Sequence, residues 1–388
     1  MGLSRWNIII MALCTGLIVA NIYYSQPLTV LISQEFRVSE SNAGQVTFFT
    51  QVGYALGLLF CVPLGDKLER KKQIIGMTLA AAISLVGAAL AKNMAMLKFT
   101  GLLIGFTSVV PQLILPMAAH LSDPASRGRV IGTIMSGLLV GILLSRTLSG
   151  VVGHHLGWRA MFWIAAGISG LLAGIMTVSF PSSKPNFQGS YSDLMGSLIT
   201  LIKEQPMLRE ASAINACCFA MFGMFWTTVV FLLSDAPFHY TSEQIGLMGL
   251  AAAAGALGAP LIGRVADKKN PRIAIGYGII FLFAGYILFY FFRANIIGII
   301  VGIIAIDLGL QGIHVSNQTR IYTMMPEARN RLNTVFMTAS FIGTSLGSGI
   351  GLWVWSVDQW TGVCIAGLAL ITMALVIYLS TYKKPVAA

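Results

Sequence analysis

The stretch Ile296–Met325 reads IIGIIVGIIAIDLGLQGIHVSNQTRIYTMM, and it decides the class of protein. Its first eleven residues are apolar, as in a helix that spans a lipid bilayer, and the carboxylate of Asp307 follows. At about 1.5 Å per residue, Asp307 lies roughly 15 Å deep in a hydrocarbon core about 30 Å thick. Gln311, His314 and Gln318 share its helix face within an arc of about 60°. Lipid cannot solvate such a polar stripe, so we expect it to face protein or water.

The composition extends this interpretation to the whole chain. Of the 388 residues, 56% are hydrophobic and 10% are charged, less than half the charge of a typical soluble domain. Apolar runs of about 20 residues recur along the chain, which indicates a polytopic membrane protein. The net charge of +11 could suggest nucleic acid, but cationic loops on one side of a membrane explain it better. The five cysteines lie in apolar runs without metal-ligand spacing, so we expect packing roles and no metal.

Twelve apolar spans are predicted, and their loops give the orientation. Of the 25 lysines and arginines, nineteen fall on the side of the two termini, five on the other side and one, Arg146, inside span five. This bias places both termini in the cytoplasm, in what we expect to be a bacterial inner membrane. The first apolar run is a full span without a small-residue cleavage site, so no cleavable signal is expected. The predicted spans are residues 6–32, 42–64, 73–91, 95–121, 129–152, 159–180, 208–234, 243–264, 272–292, 295–320, 331–353 and 358–381.

The two halves of the chain repeat each other. Pro124–Arg129 matches Pro326–Arg331 at an offset of 202, and the same offset relates Trp158 to Trp360. A long connection, Pro181–Pro206, separates the halves and ends in apolar spacing suited to a helix in the cytoplasmic interface. We therefore predict an all-α fold of two six-helix bundles, residues 1–180 and 207–388, joined by the linker 181–206. A parallel repeat of this kind implies a substrate site between the bundles near the membrane midplane.

Two cytoplasmic loops carry a related charged motif. Gly65–Lys72 and Gly263–Lys269 each place an aspartate before a run of cations. Both resemble the Gly-x-x-x-Asp-Arg/Lys-x-Gly-Arg/Lys motif of the major facilitator superfamily, although Val62 and Glu69 stand where the first copy should have glycines. An aspartate at a helix end, flanked by arginines, can latch two bundles together, whereas the alternative is that these charges only fix the orientation. The candidate residues of this cytoplasmic gate are Asp66, Arg70, Arg127, Arg129, Asp267, Arg329 and Arg331.

Two further segments point to one branch of that superfamily. Ala20–Leu28 and His314–Tyr322 resemble the branch that contains arabinose-efflux-permease-like and drug:proton antiporter proteins. That branch exports small organic molecules in exchange for protons, so the resemblance implies the same activity here. Span five lacks the Gly-Pro pair of the branch's antiporter motif.

Small residues recur at every fourth position of spans five and eleven, which allows helix backbones to approach closely. In the resembled fold these spans lie at the contact between the halves. The residues are Gly137, Gly141, Ser145 and Ser149 in span five, and Ala339, Gly343, Gly347 and Gly351 in span eleven.

Arg146 and Asp307 are the charges predicted to lie well inside spans, where an unpaired ion costs several kcal/mol. We hypothesise that they meet across the interface of the halves and that Asp307 takes up the transported proton. A purely structural ion pair is the alternative. His314, on the same stripe as Asp307, is a candidate proton relay or a hydrogen-bonded structural group.

Polar and aromatic residues at mid-membrane depth concentrate in spans one, four, seven and ten. The resembled fold lines its cavity with these four spans. Amide and aromatic groups favour an amphiphilic or hydroxylated ligand, and the alternative role for each residue is hydrogen bonding between helices. The candidate cavity residues are Asn21, Tyr23, Tyr24, Ser25, Gln26, Gln112, Trp226, Thr227, Gln311, Asn317 and Gln318.

The sequence therefore predicts a secondary transporter that exports a small organic molecule by proton antiport through alternating access. No nucleotide-binding Gly-x-x-x-x-Gly-Lys-Ser/Thr loop occurs, so direct ATP coupling is not expected. The expected partners are a small-molecule substrate, protons and the lipid bilayer. We expect a monomer with no cofactor and no nucleic-acid partner. The alternatives are a proton-coupled uptake symporter, a transporter-like sensor without flux, and a membrane enzyme, which the scattered polar residues disfavour.

Overall fold

The computed structural model describes residues 3–123, 126–182, 189–257, 271–325 and 328–382. These ranges form helices joined by turns and contain no β-strand. Within the described ranges, ten helical segments are long and apolar enough to cross a membrane. They are Arg5–Phe36, Glu40–Leu64, Arg70–Ala89, Met94–Leu121, Arg127–Leu156, Trp158–Ser179, Pro206–Ser234, Pro271–Phe291, Ile296–Met324 and Arg329–Thr381.

Three of the predicted spans are merged or incomplete in this set. Span eleven and span twelve form one segment, Arg329–Tyr382, which is divided where Asp358 and Gln359 leave the helical backbone conformation. Ser242–Leu257 is the described part of span eight, whose predicted end lies outside the described residues. The all-α membrane fold with twelve spans is therefore confirmed, and the span numbers are kept below.

Span one and span four are each interrupted near the middle. In span one the helices Arg5–Val19 and Ser25–Phe36 are joined through a 3₁₀ turn, Ala20–Ile22. In span four the helix Met94–Thr107 ends before a second helix, Pro111–Leu121. Pro111 is the first residue of this second helix, a position that favours proline because a backbone N–H there would have no partner within the helix. Both interruptions were absent from the predicted continuous spans.

The described chain clusters into two compact units. The first contains Met1–Met195 and Tyr240–Gly249, and the second contains Gly196–His239 and Leu250–Ala388. The start of span eight thus belongs to the first unit and its continuation to the second. The predicted domain limits at residues 181 and 207 stay a prediction.

Each unit is held together by close helix packing at the predicted small residues. In the first unit a Cβ placed on Gly141 of span five would overlap the carbonyl oxygen of Gly16 in span one. In the second unit a Cβ on Gly347 of span eleven would overlap the carbonyl oxygen of Ala220 in span seven. These two glycines pack against spans of their own unit, and the position of spans five and eleven at the contact between the halves stays a prediction. Close approach of this kind increases van der Waals contact, which drives helix association in lipid.

The linker carries the helix Tyr191–Glu204. Ser190 and Asp193 form a reciprocal cap at its start: the Ser190 N–H donates to Asp193 Oδ2 at 2.8 Å, and the Asp193 N–H donates to Ser190 Oγ at 3.1 Å. These two bonds satisfy backbone donors that a helix N-terminus leaves open. Because the carboxylate also accepts a hydrogen bond from the Ser190 hydroxyl, the pKa of Asp193 lies below its ordinary value.

Candidate functional site

Asp307 lies in the interior of the second unit. Its residue is 4% exposed, and the backbone of span eight passes directly beside it. A Cβ built on Gly255 would stand 2.8 Å from Asp307 Cβ and 2.7 Å from the carbonyl oxygen of Ile304. The glycine thus allows span eight to pack against the carboxylate-bearing turn of span ten. A buried carboxylate at membrane depth marks a site of function more often than one of packing.

Arg146 is equally buried, in the first unit, with 3% of the residue exposed. Its Nε donates to Gln26 Oε1 at 2.8 Å, and its guanidinium lies 4.7 Å from the centre of the Tyr23 ring. The structure thus brings one proton-coupling candidate and two cavity candidates together. An amide oxygen and an aromatic face both stabilise a cation away from water. Asp307 belongs to the other unit, so the predicted meeting of the two charges stays a prediction.

The other candidates of span one pair with neighbouring helices. Asn21 Nδ2 donates to Ser108 Oγ at 3.4 Å, and Ser25 Oγ lies 2.9 Å from Thr47 Oγ1. Tyr24 is 1% exposed and packs within a hydrophobic cluster of the first unit. The contacts of Asn21 and Ser25 agree with the alternative interpretation, hydrogen bonding between helices.

Gln112, the candidate of span four, is 7% exposed and forms a side-chain hydrogen bond with Tyr54 of span two. Its amide therefore bridges two helices of the first unit. A cavity role for Gln112 stays a prediction.

His314 contacts two other spans in the second unit. Its Nδ1 lies 3.2 Å from Asn215 Nδ2 in span seven. Its ring stacks on Phe336 at 5.3 Å and 24°, and Phe219 lies 5.4 Å away. Asn215 was missed by the sequence analysis, although a lone amide in the apolar run Ile214–Phe219 is a visible signal.

The candidates Trp226 and Thr227 lie in the same span as Asn215. The indole ring of Trp226 meets Phe222 and Phe225 edge-on, at 6.2 and 5.4 Å between ring centres. Thr227 Oγ1 lies 2.8 Å from Ser348 Oγ in span eleven. Both residues are 3% exposed, so they are buried inside the second unit.

The polar stripe of span ten ends in a hydrogen-bonded group with span eleven. Gln318 Nε2 donates to Tyr322 Oη at 3.0 Å and to Asn333 Oδ1 at 3.2 Å. Asn317 is fully buried, and Gln311 is half-buried. The residues of the stripe therefore differ in their contacts and burial. That the stripe faces a central cavity stays a prediction.

The charged residues of the first cytoplasmic motif form ion pairs with one another. Arg70 Nη2 lies 2.6 Å from Asp66 Oδ1 in a partly buried ion pair. The Lys72 ammonium, 3.1 Å from the Glu69 carboxylate, donates a hydrogen bond that lowers the pKa of Glu69. The second copy of the motif, including Asp267, lies outside the described residues.

The remaining gate candidates lie near the predicted cytoplasmic ends of spans five and eleven. Arg127 and Arg129 are exposed. Arg329, also exposed, donates from Nε to the carbonyl oxygen of Tyr322 at 3.1 Å, and Arg331 is half-buried. Their function as a gate stays a prediction.

The sequence analysis missed a charged cluster in the second unit. Glu210 lies between two arginines: Oε1 is 3.2 Å from Arg272 Nη2, and Oε2 is 3.2 Å from Arg320 Nη2. All three side chains are between 10% and 13% exposed, so the cluster is largely removed from water. The positions of its members in three different spans explain why no local pattern revealed it.

Comparisons with known proteins agree with this architecture. Residues 8–348, and in a second overlapping match residues 211–387, fit the family model described as the Major Facilitator Superfamily. The chain belongs to the Major Facilitator Superfamily.

Relatives in this superfamily cover nearly the whole chain. Over 386 residues the chain is 41% identical to "Uncharacterized transporter YgaY" of Escherichia coli O157:H7, covering 100% of this chain and 98% of the relative. It is 21% identical over 328 residues to "Probable sugar efflux transporter" of Helicobacter pylori (strain HPAG1), covering 82% of this chain and 81% of the relative. The solved structure of the nucleoside transporter NupG matches with a TM-score of 0.77 at 15% identity, over 98% of this chain and 100% of NupG.

The superfamily assignment settles the general activity. The protein is an integral membrane transporter of small solutes, and it is not an enzyme. At 15% identity the likeness to the nucleoside transporter establishes the fold and no substrate.

Proposed function

We propose that this superfamily member exports a small organic molecule in exchange for protons, and that Asp307 carries the proton. The observation that carries the proposal is the position of Asp307, 4% exposed in the middle of span ten. A carboxylate at that depth is costly as an ion, which suits a group that gains and loses a proton during transport.

Arg146 supports the same mechanism from the first unit. Gln26 and Tyr23 hold its guanidinium in place, so the cation stays inside the membrane whether or not Asp307 is ionised. We propose that Arg146 neutralises the Asp307 carboxylate in one state of the transport cycle. When the two separate, protonation of Asp307 replaces the ion pair, because neither state then leaves an isolated carboxylate in lipid.

Export is favoured by two similarities. The segments Ala20–Leu28 and His314–Tyr322 resemble the efflux and drug:proton antiporter branch. The sequence is also similar to a protein named as a sugar efflux transporter. An amphiphilic or hydroxylated substrate fits the amide, hydroxyl and aromatic groups proposed to line the cavity on spans one, four, seven and ten.

Alternating access is proposed to follow from movement of residues 1–180 against residues 207–388, with 181–206 as the linker. We propose a cytoplasmic gate at the two charged motifs, in which the ion pair between Arg70 and Asp66 fixes the charges of the first motif in place. We further propose that the protein is a monomer of the bacterial inner membrane with both termini in the cytoplasm.

The test uses purified protein in lipid vesicles that contain a pH-sensitive dye. Sugars, nucleosides and antibiotics are added outside, one at a time, without an imposed pH gradient. An antiporter lets the compound enter as protons leave, so we expect at least one compound to raise the internal pH. A fall in internal pH would identify an uptake symporter, and no change with any compound would contradict proton coupling. Vesicles without protein are the control.

A further inference from the structure

The polar network around His314 joins three spans of the second unit. Asn215 of span seven is fully buried, and its Nδ2 contacts both Ser340 Oγ of span eleven, at 2.6 Å, and His314 Nδ1 of span ten, at 3.2 Å. Ser340 Oγ in turn donates to the carbonyl oxygen of Phe336 at 2.8 Å. The residues are far apart in sequence, so only the packing of the three helices assembles the network.

The direction of each hydrogen bond in this network is determined by the number of hydrogens. The Ser340 hydroxyl has one hydrogen, and the carbonyl of Phe336 receives it. Ser340 Oγ therefore accepts from Asn215, which requires the amide nitrogen of Asn215 on that side. The second hydrogen of the same nitrogen points to His314 Nδ1. Nδ1 must then carry a lone pair, so the imidazole is neutral and its hydrogen is on Nε2.

The surroundings of the ring agree with a neutral imidazole. In the described part of the chain, the ring contacts one amide and two phenyl rings, those of Phe219 and Phe336, and no charged side chain. An imidazolium would direct a second N–H hydrogen at the Asn215 amide hydrogen, with no anion to offset its charge. The residue is half-buried, and its Nε2 bonds to none of the described residues.

We propose that Asn215 is a positioning residue that holds His314 as a neutral Nε2–H donor for an oxygen atom of the transported molecule. The oxygen belongs to a hydroxyl or carbonyl group, and the rings of Phe219 and Phe336, which both contact the imidazole, present an apolar surface beside it. This inference rests on the proposed transport function and separates two tasks. Asp307 carries the proton, and His314 recognises the uncharged part of the substrate.

The first test reads the hydrogen position directly, without any ligand. Full-length protein with ¹⁵N-labelled histidine rings is studied by NMR in lipid nanodiscs at pH 7, and His314→Gln identifies the His314 signals. We expect a bare Nδ1 and a protonated Nε2 in the wild type. Asn215→Asp supplies an acceptor in place of the donor, so the hydrogen should move to Nδ1. A protonated Nδ1 in the wild type would overturn the proposal, and this spectrum requires no variant of Asn215 to fold.

The second test uses the same sample with D-arabinose, uridine and chloramphenicol added separately at millimolar concentration. We expect at least one of them to shift the Nε2 signal of His314, and Asn215→Leu to weaken its binding at least about tenfold. An unchanged Nε2 signal with all three would refute the donor function. If no compound changes the internal pH in the vesicle assay, the proposed proton coupling is refuted. The assignment of the His314 hydrogen is unaffected by that result, because the NMR spectrum is measured without transport.

Discussion

Arg146 Nε donates a 2.8 Å hydrogen bond to Gln26 Oε1, which joins span five to span one across 120 residues of sequence. The pair shows how this fold retains a cation within the membrane: a neutral amide oxygen and the Tyr23 ring receive it inside one unit. A buried guanidinium that loses such an acceptor loses part of the interaction that offsets its desolvation.

Replacing Gln26 with leucine should therefore destabilise the protein by about 1–3 kcal/mol, because it removes an acceptor from a buried cation. The measurement is the unfolding temperature of the purified protein in detergent. Gln34→Leu, on the exposed side of the same span, is the matched control and should leave the unfolding temperature unchanged. Equal unfolding temperatures for the two variants would show that the bond to Gln26 contributes nothing.

Glu210→Ala should be among the most damaging single substitutions in the second unit. It leaves Arg272 and Arg320 facing each other with little access to water, a loss on the order of 3–5 kcal/mol for a broken buried pair. Glu69→Ala breaks a pair whose lysine, Lys72, is 83% exposed, and it should have no measurable effect. A Glu210 variant as stable as the Glu69 variant in the same thermal assay would contradict this account.

Gly141→Ala and Gly347→Ala should each destabilise their unit by about 1–3 kcal/mol, because the added methyl group meets a backbone carbonyl of the neighbouring helix. Gly170→Ala, where a Cβ meets nothing within 4 Å, should instead be neutral or stabilising by up to about 1 kcal/mol. Thermal unfolding of the three purified variants tests this contrast. Equal changes in unfolding temperature for all three variants would contradict close packing as the reason for glycine at positions 141 and 347.

The linker helix should respond to pH through Asp193. Its folded pKa is below the ordinary 3.8, so the cap is fully present at neutral pH and is lost as the pH falls through that lowered pKa. Hydrogen exchange of the amides in Tyr191–Glu204, corrected for the intrinsic pH effect, should therefore be constant from pH 7 to 5. Asp193→Ala should accelerate this exchange at pH 7, whereas unchanged exchange would show that the cap does not hold the helix.

Local pattern was sufficient to predict the twelve spans, because each apolar run is long enough to cross a bilayer by itself. The interruption of span one was not predictable in this way. Ala20–Ile22 contains neither proline nor glycine, so no helix-breaking residue within it marks the 3₁₀ turn. Span four was different, since Pro111 is a visible signal for the start of a new helix.

The sequence predicted which candidate residues share a helix face, but it did not predict which residues of other spans they contact. Helical periodicity placed Asp307 and His314 on one side of span ten. It could not indicate that His314 contacts Asn215, 99 residues earlier. Nor could it indicate that Glu210 forms ion pairs with one arginine of span nine and one of span ten. These contacts depend on how helices that are distant in sequence pack together, and the periodicity of a single span does not predict that packing.

The central claim is that Asp307 carries the proton, and the dye-filled vesicles test it most directly. The compound with the largest wild-type response is added to vesicles that contain Asp307→Asn, with Thr319→Val as the control on an exposed position of the same span. We predict that the solute-driven rise in internal pH disappears in Asp307→Asn and persists in Thr319→Val. An undiminished pH rise with Asp307→Asn protein would contradict the claim.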